Sequence, residues 1–172
     1  MTTKRLTITA EPVTAAEIKT LMPLDGTDQD SRIAILIPAL RQRAEQITGR
    51  ALATGNFSLT LDSFPAGAIM LHSGPVTEIV SVAYTDTAGV AQTLTGYQLD
   101  TTSLPARILP AVDTVWPDTQ DIANAVTITY TAGAATAPAE VKAWIAVYVR
   151  AEIDGCTVPG YMDGLLDSLK VY

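Results

Sequence analysis

The sequence predicts an α+β fold: a small helical bundle made from the N-terminal and C-terminal helices, with an antiparallel β module inserted between them. Three observations predict it. Apolar residues recur at helical spacing up to about residue 48 and again after 138. Between Phe57 and Tyr130 the period falls to two, rich in Val, Ile and Thr and punctuated by Gly and Pro. Apolar residues make up 48% of the 172, enough to fill a real core in a chain of single-domain size. The expected organisation is one domain over 1–172, with helices about 14–48 and 138–170 and the β module about 55–132.

In chain order, residues 1–13 read as extended, with Leu6 and Ile8 alternating with threonines. Thr14 and Glu17 match a capping box, in which a Thr side chain caps a helix start and a Glu three residues on reaches back. A short helix to about Met22 follows, stopped by Pro23, and Gly26 lies in the turn after it. Asp28 or Asp30 can cap a second helix over Gln29–Ile47. Its apolar stripe is Ile33, Leu36, Ile37, Leu40, Ala44 and Ile47. Pro38 interrupts that stripe and predicts a kink or a division near Ile37. Gly49 suits the helix stop.

The β module begins with Phe57, Leu59 and Leu61 alternating with polar residues. Ile69 and Leu71 start a second strand, closed by Ser73-Gly74-Pro75. Val80, Val82 and Tyr84 form an alternating strand, with a hairpin loop at Asp86–Gly89 and a return strand over Val90–Leu94. Short strands are predicted at Tyr97–Leu99 and Arg107–Leu109, and a long one at Val126, Ile128 and Tyr130. The stretch Pro138–Ile153 then places Val141, Trp144, Ile145, Tyr148, Val149 and Ile153 on one helix face. Pro138 suits the first turn, Glu140 the positive end of the helix dipole and Arg150 the negative end. With Leu36 and Leu40, the residues Val141, Trp144, Ile145 and Tyr148 are the expected core. A last short helix is predicted over Leu165, Leu166 and Leu169, leading to Val171 and Tyr172. So apolar a terminus docks either on its own domain or in another protein's groove.

Composition excludes several function classes. The net charge is −7, the wrong sign for a chain that coats nucleic acid. Arg41, Arg43 and Arg50 read as the wet face of a helix. A single cysteine, Cys156, forbids an intrachain disulfide and a Cys-rich zinc site. No apolar run approaches the ~20 residues of a membrane span, and the N-terminus carries no signal-peptide run. The expectation is a soluble protein made inside the cell, without membrane contact.

No candidate for chemistry stands out. His72, the one histidine, has no neighbouring nucleophile or acid in sequence and reads as a surface or loop-edge residue. Cys156 follows Asp154 in a Gly/Pro loop, which disfavours a thiolate. Asp25, Asp28 and Asp30 imitate a calcium loop, but Arg32 falls where an oxygen ligand belongs. Ala132-Gly133-Ala134-Ala135 lacks the spacing of a phosphate loop. No cofactor or metal is expected.

The order of the parts carries more information than any one motif. A capped helix and an amphipathic helix close on Thr48-Gly49-Arg50-Ala51-Leu52. A β run opens at Phe57-Ser-Leu-Thr-Leu-Asp-Ser-Phe-Pro65. Leu71-His-Ser-Gly-Pro-Val-Thr-Glu-Ile-Val-Ser-Val-Ala-Tyr84, Tyr97-Gln-Leu-Asp100, Trp116-Pro117 and Val126-Thr-Ile-Thr-Tyr-Thr-Ala-Gly133 follow, leading into Pro138-Ala-Glu-Val-Lys-Ala. Across nearly the whole chain this order resembles the head–tail connector (adaptor) proteins of long-tailed phages, a group shared with phage-like gene transfer agents. The resemblance implies a structural virion protein of the neck, assembled in the host cytoplasm, that forms a ring, usually twelve-fold, beneath the portal. It implies a portal protein and a neck or tail-completion protein as partners, DNA passing through without sequence-specific binding, and no enzymatic activity. It also implies that the C-terminal segment, here Leu165, Leu166, Leu169, Val171 and Tyr172, inserts into the portal. Pro38 departs from the uninterrupted helix usual in that group. Two rival readings are a tail-completion or terminator ring and a small hydrolase using carboxylates such as Asp100, Asp113 or Asp118.

Overall fold

A computed structural model describes every residue except Pro23, Leu24, Asp25, Ala135 and Tyr172. The expected helix stop at Pro23, the calcium-like Asp25, Ala135 of the loop after the last strand and the C-terminal Tyr172 therefore lie outside the described residues. Among those described, the fold is α+β, with all strand pairing antiparallel. The chain divides into two compact units: Met1–Ile8 with Gly55–Gly133, and Thr9–Thr54 with Ala134–Tyr172. The β module thus includes the N-terminal strand, which the alternation of its short opening stretch did not assign to any sheet.

The β unit holds two sheets. The larger has the order β1 (Thr2–Arg5), β2 (Gly55–Leu61), β8 (Val126–Ala132), β4 (Val76–Thr85) and β5 (Ala91–Thr93). The smaller runs β3 (Ile69–Leu71), β7 (Ala106–Pro110) and β6 (Tyr97–Asp100). In β2, Phe57 and Leu59 point inward, and in β8 Val126, Ile128, Tyr130 and Ala132 do, as alternation requires. The expected inward row Val80, Val82, Tyr84 needs correction. The register of β4 on β8 slips between Val76 and Glu78 and again between Ile79 and Ser81. The second irregularity changes the phase of the strand, so Ile79 lies opposite Tyr130, Val82 lies opposite Ile128, and Val80 is exposed.

The helical unit contains α1 (Ala15–Leu21), α2 (Asp30–Thr48), α3 (Ala139–Asp154) and a C-terminal 3-10 helix (Gly160–Leu169). The Thr14–Glu17 capping box forms in full. The Asp cap of α2 does not: Gln29 precedes the helix without a side-chain bond, and Asp30 is its first residue, ion-paired to Lys19. Pro38 does not divide α2, which runs unbroken through it. The hydrogen bond it removes is the one to the Ala34 carbonyl. Ala34 is exposed, so water can meet that carbonyl at little cost. Gly49 ends α2 with φ 70° and an N–H bond to Glu45 O of 2.9 Å, and Gly155 ends α3 with φ 69°.

The core of this unit gathers Val13, Ile18, Ile33, Ile37, Leu40, Ala44, Val141, Trp144, Ile145, Tyr148 and Val149, with Leu36 partly buried against it. Arg41 is a correction to the sequence reading. It is only 6% exposed, held by Glu11 at 2.8 Å and Glu45 at 2.7 Å. Glu45 also accepts the N–H of Leu52 at 2.8 Å. The α2 stripe with period 3.6 does not reveal this, because the partner Glu11 lies 30 residues away.

Candidate functional site: the docked C-terminal segment

The segment after α3 carries the residues singled out for partner contact, and the structure treats them unequally. A 3-10 helix has about three residues per turn, so Asp163, Leu166 and Leu169 stack on one side. That side faces the core. Leu166 is 0% exposed, and Leu169 and Met162 pack against the same cluster. Leu165 stands on another side at 37% exposure, and Tyr161 projects at 78%. Leu166 therefore presents no surface to a partner in this arrangement. Leu165, Leu169 and Val171 retain some exposure, and Tyr172 lies outside the described residues. The sequence reading grouped Leu165 and Leu166 in one partner-facing segment, and the structure separates them by burial.

Asp163 fastens this helix to its unit. Its Oδ1 accepts from Trp144 Nε1 at 3.0 Å and from the Tyr148 hydroxyl at 2.7 Å. The Arg43 guanidinium lies 3.5 Å from Oδ2 and sits over the Tyr148 ring at 4.9 Å. The Trp144 and Tyr148 rings are themselves in contact, with centroids 4.2 Å apart. The hydrogen bond from Tyr148 is the largest influence holding the Asp163 carboxyl below its ordinary range. Burial raises the Tyr148 phenol, and its bond to Asp163 raises it further. Arg43, read from sequence as a solvated face, is thus part of this cluster. Beyond Leu169 the chain stays attached: Val171 N–H donates to Thr48 O at 2.9 Å, meeting a carbonyl that the end of α2 leaves without a helical partner. Lys170 pairs with Asp167 at 2.7 Å.

The other candidates from sequence do not converge. His72 is exposed, and its backbone carbonyl accepts from the Tyr130 hydroxyl at 2.5 Å. Burial pushes that phenol up to about 12. Cys156 is a free, exposed thiol. Asp100 is occupied by its own loop and strand, accepting from Thr102 N–H at 2.9 Å, Ser103 Oγ at 2.9 Å and Arg107 Nε at 2.8 Å. The Thr102 side chain first, then Arg107, Ser103 and the Thr102 N–H, hold its carboxyl well below the carboxylate range. Asp113 and Asp118 are exposed. Among the described residues no three His, Cys, Asp or Glu side chains are placed to hold a metal ion. No described helix is long and apolar enough to cross a membrane.

The fold is that of chains in the neck of a gene transfer agent particle. A chain from a structure described as the neck of an empty GTA particle, computed with C6 symmetry, matches with a TM-score of 0.81 at 18% identity. The match covers 100% of this chain and 96% of that one. A chain of the virion of a native gene transfer agent particle matches at 0.79, and one from the neck of a native GTA particle computed with C12 symmetry at 0.77, with the same identity and coverage. No protein-family model and no curated protein matches the sequence.

Proposed function

We propose that this protein is a structural component of a virion neck, a connector that assembles as a ring beneath the portal and lets DNA pass to the tail. One observation carries the reading: the likeness in fold to chains of gene transfer agent neck and virion structures covers 100% of this chain and 96% of those, at TM-scores of 0.77 to 0.81. The C6 and C12 symmetry named for those particles supports a ring, and twelve copies is the number proposed here. The net charge of −7 fits a channel wall that does not grip phosphates. The protein acts without catalysis and without a cofactor. Its best-placed carboxylate, Asp100, is fully engaged in holding its own loop.

The portal-facing element in this proposal is the outer side of the C-terminal segment, with Tyr161 and Leu165, joined by the partly exposed Leu169 and Val171; Tyr172 belongs to the proposed contact on its sequence alone. Leu166 contributes by holding the segment in place. The partner on the other side is a neck or tail-completion protein. Assembly takes place in the host cytoplasm and the product resides in the virion.

Co-sedimentation of the purified protein with its cognate portal tests this. Wild type is expected to bind, and Leu165→Asp with Tyr161→Asp is expected to weaken binding at least tenfold while leaving the fold intact. Binding to the tail-tube protein and not to the portal would move the protein to the tail-completion station. A chain that binds neither and stays monomeric would overturn the neck reading.

A further inference from the structure

The β unit carries two exposed patches of opposite character at opposite ends of its larger sheet. The first is the connection between β7 and β8. Val112 is 71% exposed and Val115 87%, and the exposed carboxylates Asp113, Asp118 and Asp121 surround them in sequence. This loop is built, not loose. Asp113 has φ 59°, and Thr114 donates to Ala111 O through its N–H at 3.1 Å and its hydroxyl at 2.8 Å. Behind Val115, Trp116 stacks on Phe64 at 5.0 Å and donates to Gly67 O at 2.8 Å. Gln120 N–H bonds Thr85 O at 3.1 Å and Asn124 N–H bonds Asp62 at 2.8 Å. The loop is therefore rooted where β2 and β4 end.

The second patch is the free edge of the sheet. There, among the described residues, β1 pairs only with β2, and the exposed residues Lys4, Leu6 and Ile8 follow one another at alternate positions. Lys4 lies opposite Ser58, and Leu6 N–H bonds Asn56 O at 2.7 Å, near the start of β2. From Asn56 to the loop's root at Leu61 the strand makes five steps, roughly 17 Å at strand rise. Among the described residues, Lys4, Asp113, Asp118 and Asp121 form no ion pair.

We infer that these patches are the two halves of one contact between copies of this chain: the Val112–Val115 loop of one copy seats on the Lys4–Ile8 edge of the next. The charges are complementary, acidic around the loop and basic on the edge, and each patch joins that charge to exposed apolar side chains. The halves differ and lie at opposite ends, so the contact is head-to-tail. Such contacts close into rings. A pinned loop loses little entropy on docking, and an unpaired strand edge is an open template for a neighbour. The inference rests on the proposed ring.

The test is cross-linking of the full chain in a Cys156→Ser background. Leu6→Cys and Val115→Cys are introduced together and treated with a short bismaleimide, while sedimentation of the wild type reports assembly independently. The expected result is a covalent ladder ending at the ring, with each single variant left monomeric, since a head-to-tail contact then offers one thiol and not two. Asp113→Lys with Asp118→Lys is expected to abolish the ladder, and adding Lys4→Glu to restore it. Wild-type rings with no ladder in the double variant would overturn the contact and leave the neck reading standing. A wild type that forms no ring, free or on the portal, and gives no ladder would overturn both. Cross-linking of Val115→Cys solely to another neck protein would assign the loop to that partner and overturn the contact between copies.

Discussion

The hydroxyl of Tyr148 on α3 donates a 2.7 Å hydrogen bond to Asp163 of the C-terminal 3-10 helix. The same carboxylate oxygen receives Trp144 Nε1. One acidic side chain thus satisfies the two polar atoms that the largest rings of this core bring with them. Asp163→Ala leaves both donors without that acceptor and is expected to cost about 1–3 kcal/mol, with Tyr148→Phe at the low end. Denaturant unfolding measures both. A loss from Asp163→Ala no larger than that of an exposed substitution would show that the bonds contribute nothing net.

The 3-10 winding makes a sharper prediction for adjacent leucines. Leu166 is fully buried and Leu165 is not. Leu166→Ala is expected to destabilise by about 2–5 kcal/mol, and Leu165→Ala by about 0.5 kcal/mol or less. Equal losses in thermal or denaturant unfolding would mean that the segment is wound otherwise.

Glu17 gives the acid dependence. Its carboxyl is lowered from an ordinary 4.5 to about 2, first by the hydrogen bond from Lys142 at 2.5 Å and then by Thr14. A carboxyl depressed in the folded state stabilises the protein above its unfolded value, and the contribution is lost as pH falls from about 4.5 towards 2. The pair is 42% exposed on the Glu side, so salt screens it and the effect is small. Glu17→Gln is expected to flatten the stability profile below pH 4.5, and an unchanged slope would remove Glu17 from acid unfolding.

Arg41 tests the buried charge network. Arg41→Ala leaves Glu45 and Glu11 without their shared cation, and removing one partner of a buried ion pair typically costs about 3–5 kcal/mol. Arg41→Met fills the volume but still strands Glu45. Adding Glu45→Gln to it is expected to recover part of the loss, which a double-mutant cycle reads directly.

Gly55 tests the join of β1 to β2. A Cβ there would drive into the carbonyl of Thr7, well inside van der Waals contact. Gly55→Ala must push the N-terminal strand away, at a cost of about 1–3 kcal/mol. Hydrogen exchange at Leu6 and Thr7, whose N–H groups bond Asn56 O, is expected to rise. Unchanged protection would show that the approach is relaxed at no cost.

Sequence alone determined what rests on local periodicity and on short-range chemistry. The Thr14–Glu17 capping box, the glycine stop at 49, the apolar face of α3 and the alternation of β2 and β8 all depend on neighbours within a few residues. Tertiary structure decided the rest. The strand slip that exposes Val80 is set by pairing with β8. Burial of Arg41 depends on Glu11 across 30 residues, and an Arg on a helix otherwise reads as solvated. Pro38 stays within a continuous α2, and Ala34, whose carbonyl loses its helical donor, is an exposed residue. Which C-terminal leucine is core was decided by 3-10 winding, which puts Asp163 and Leu166 on the side that meets the core. Alternation and caps are properties of a chain segment; pairing register, burial of charge and the phase of a terminal helix are properties of the partner it meets.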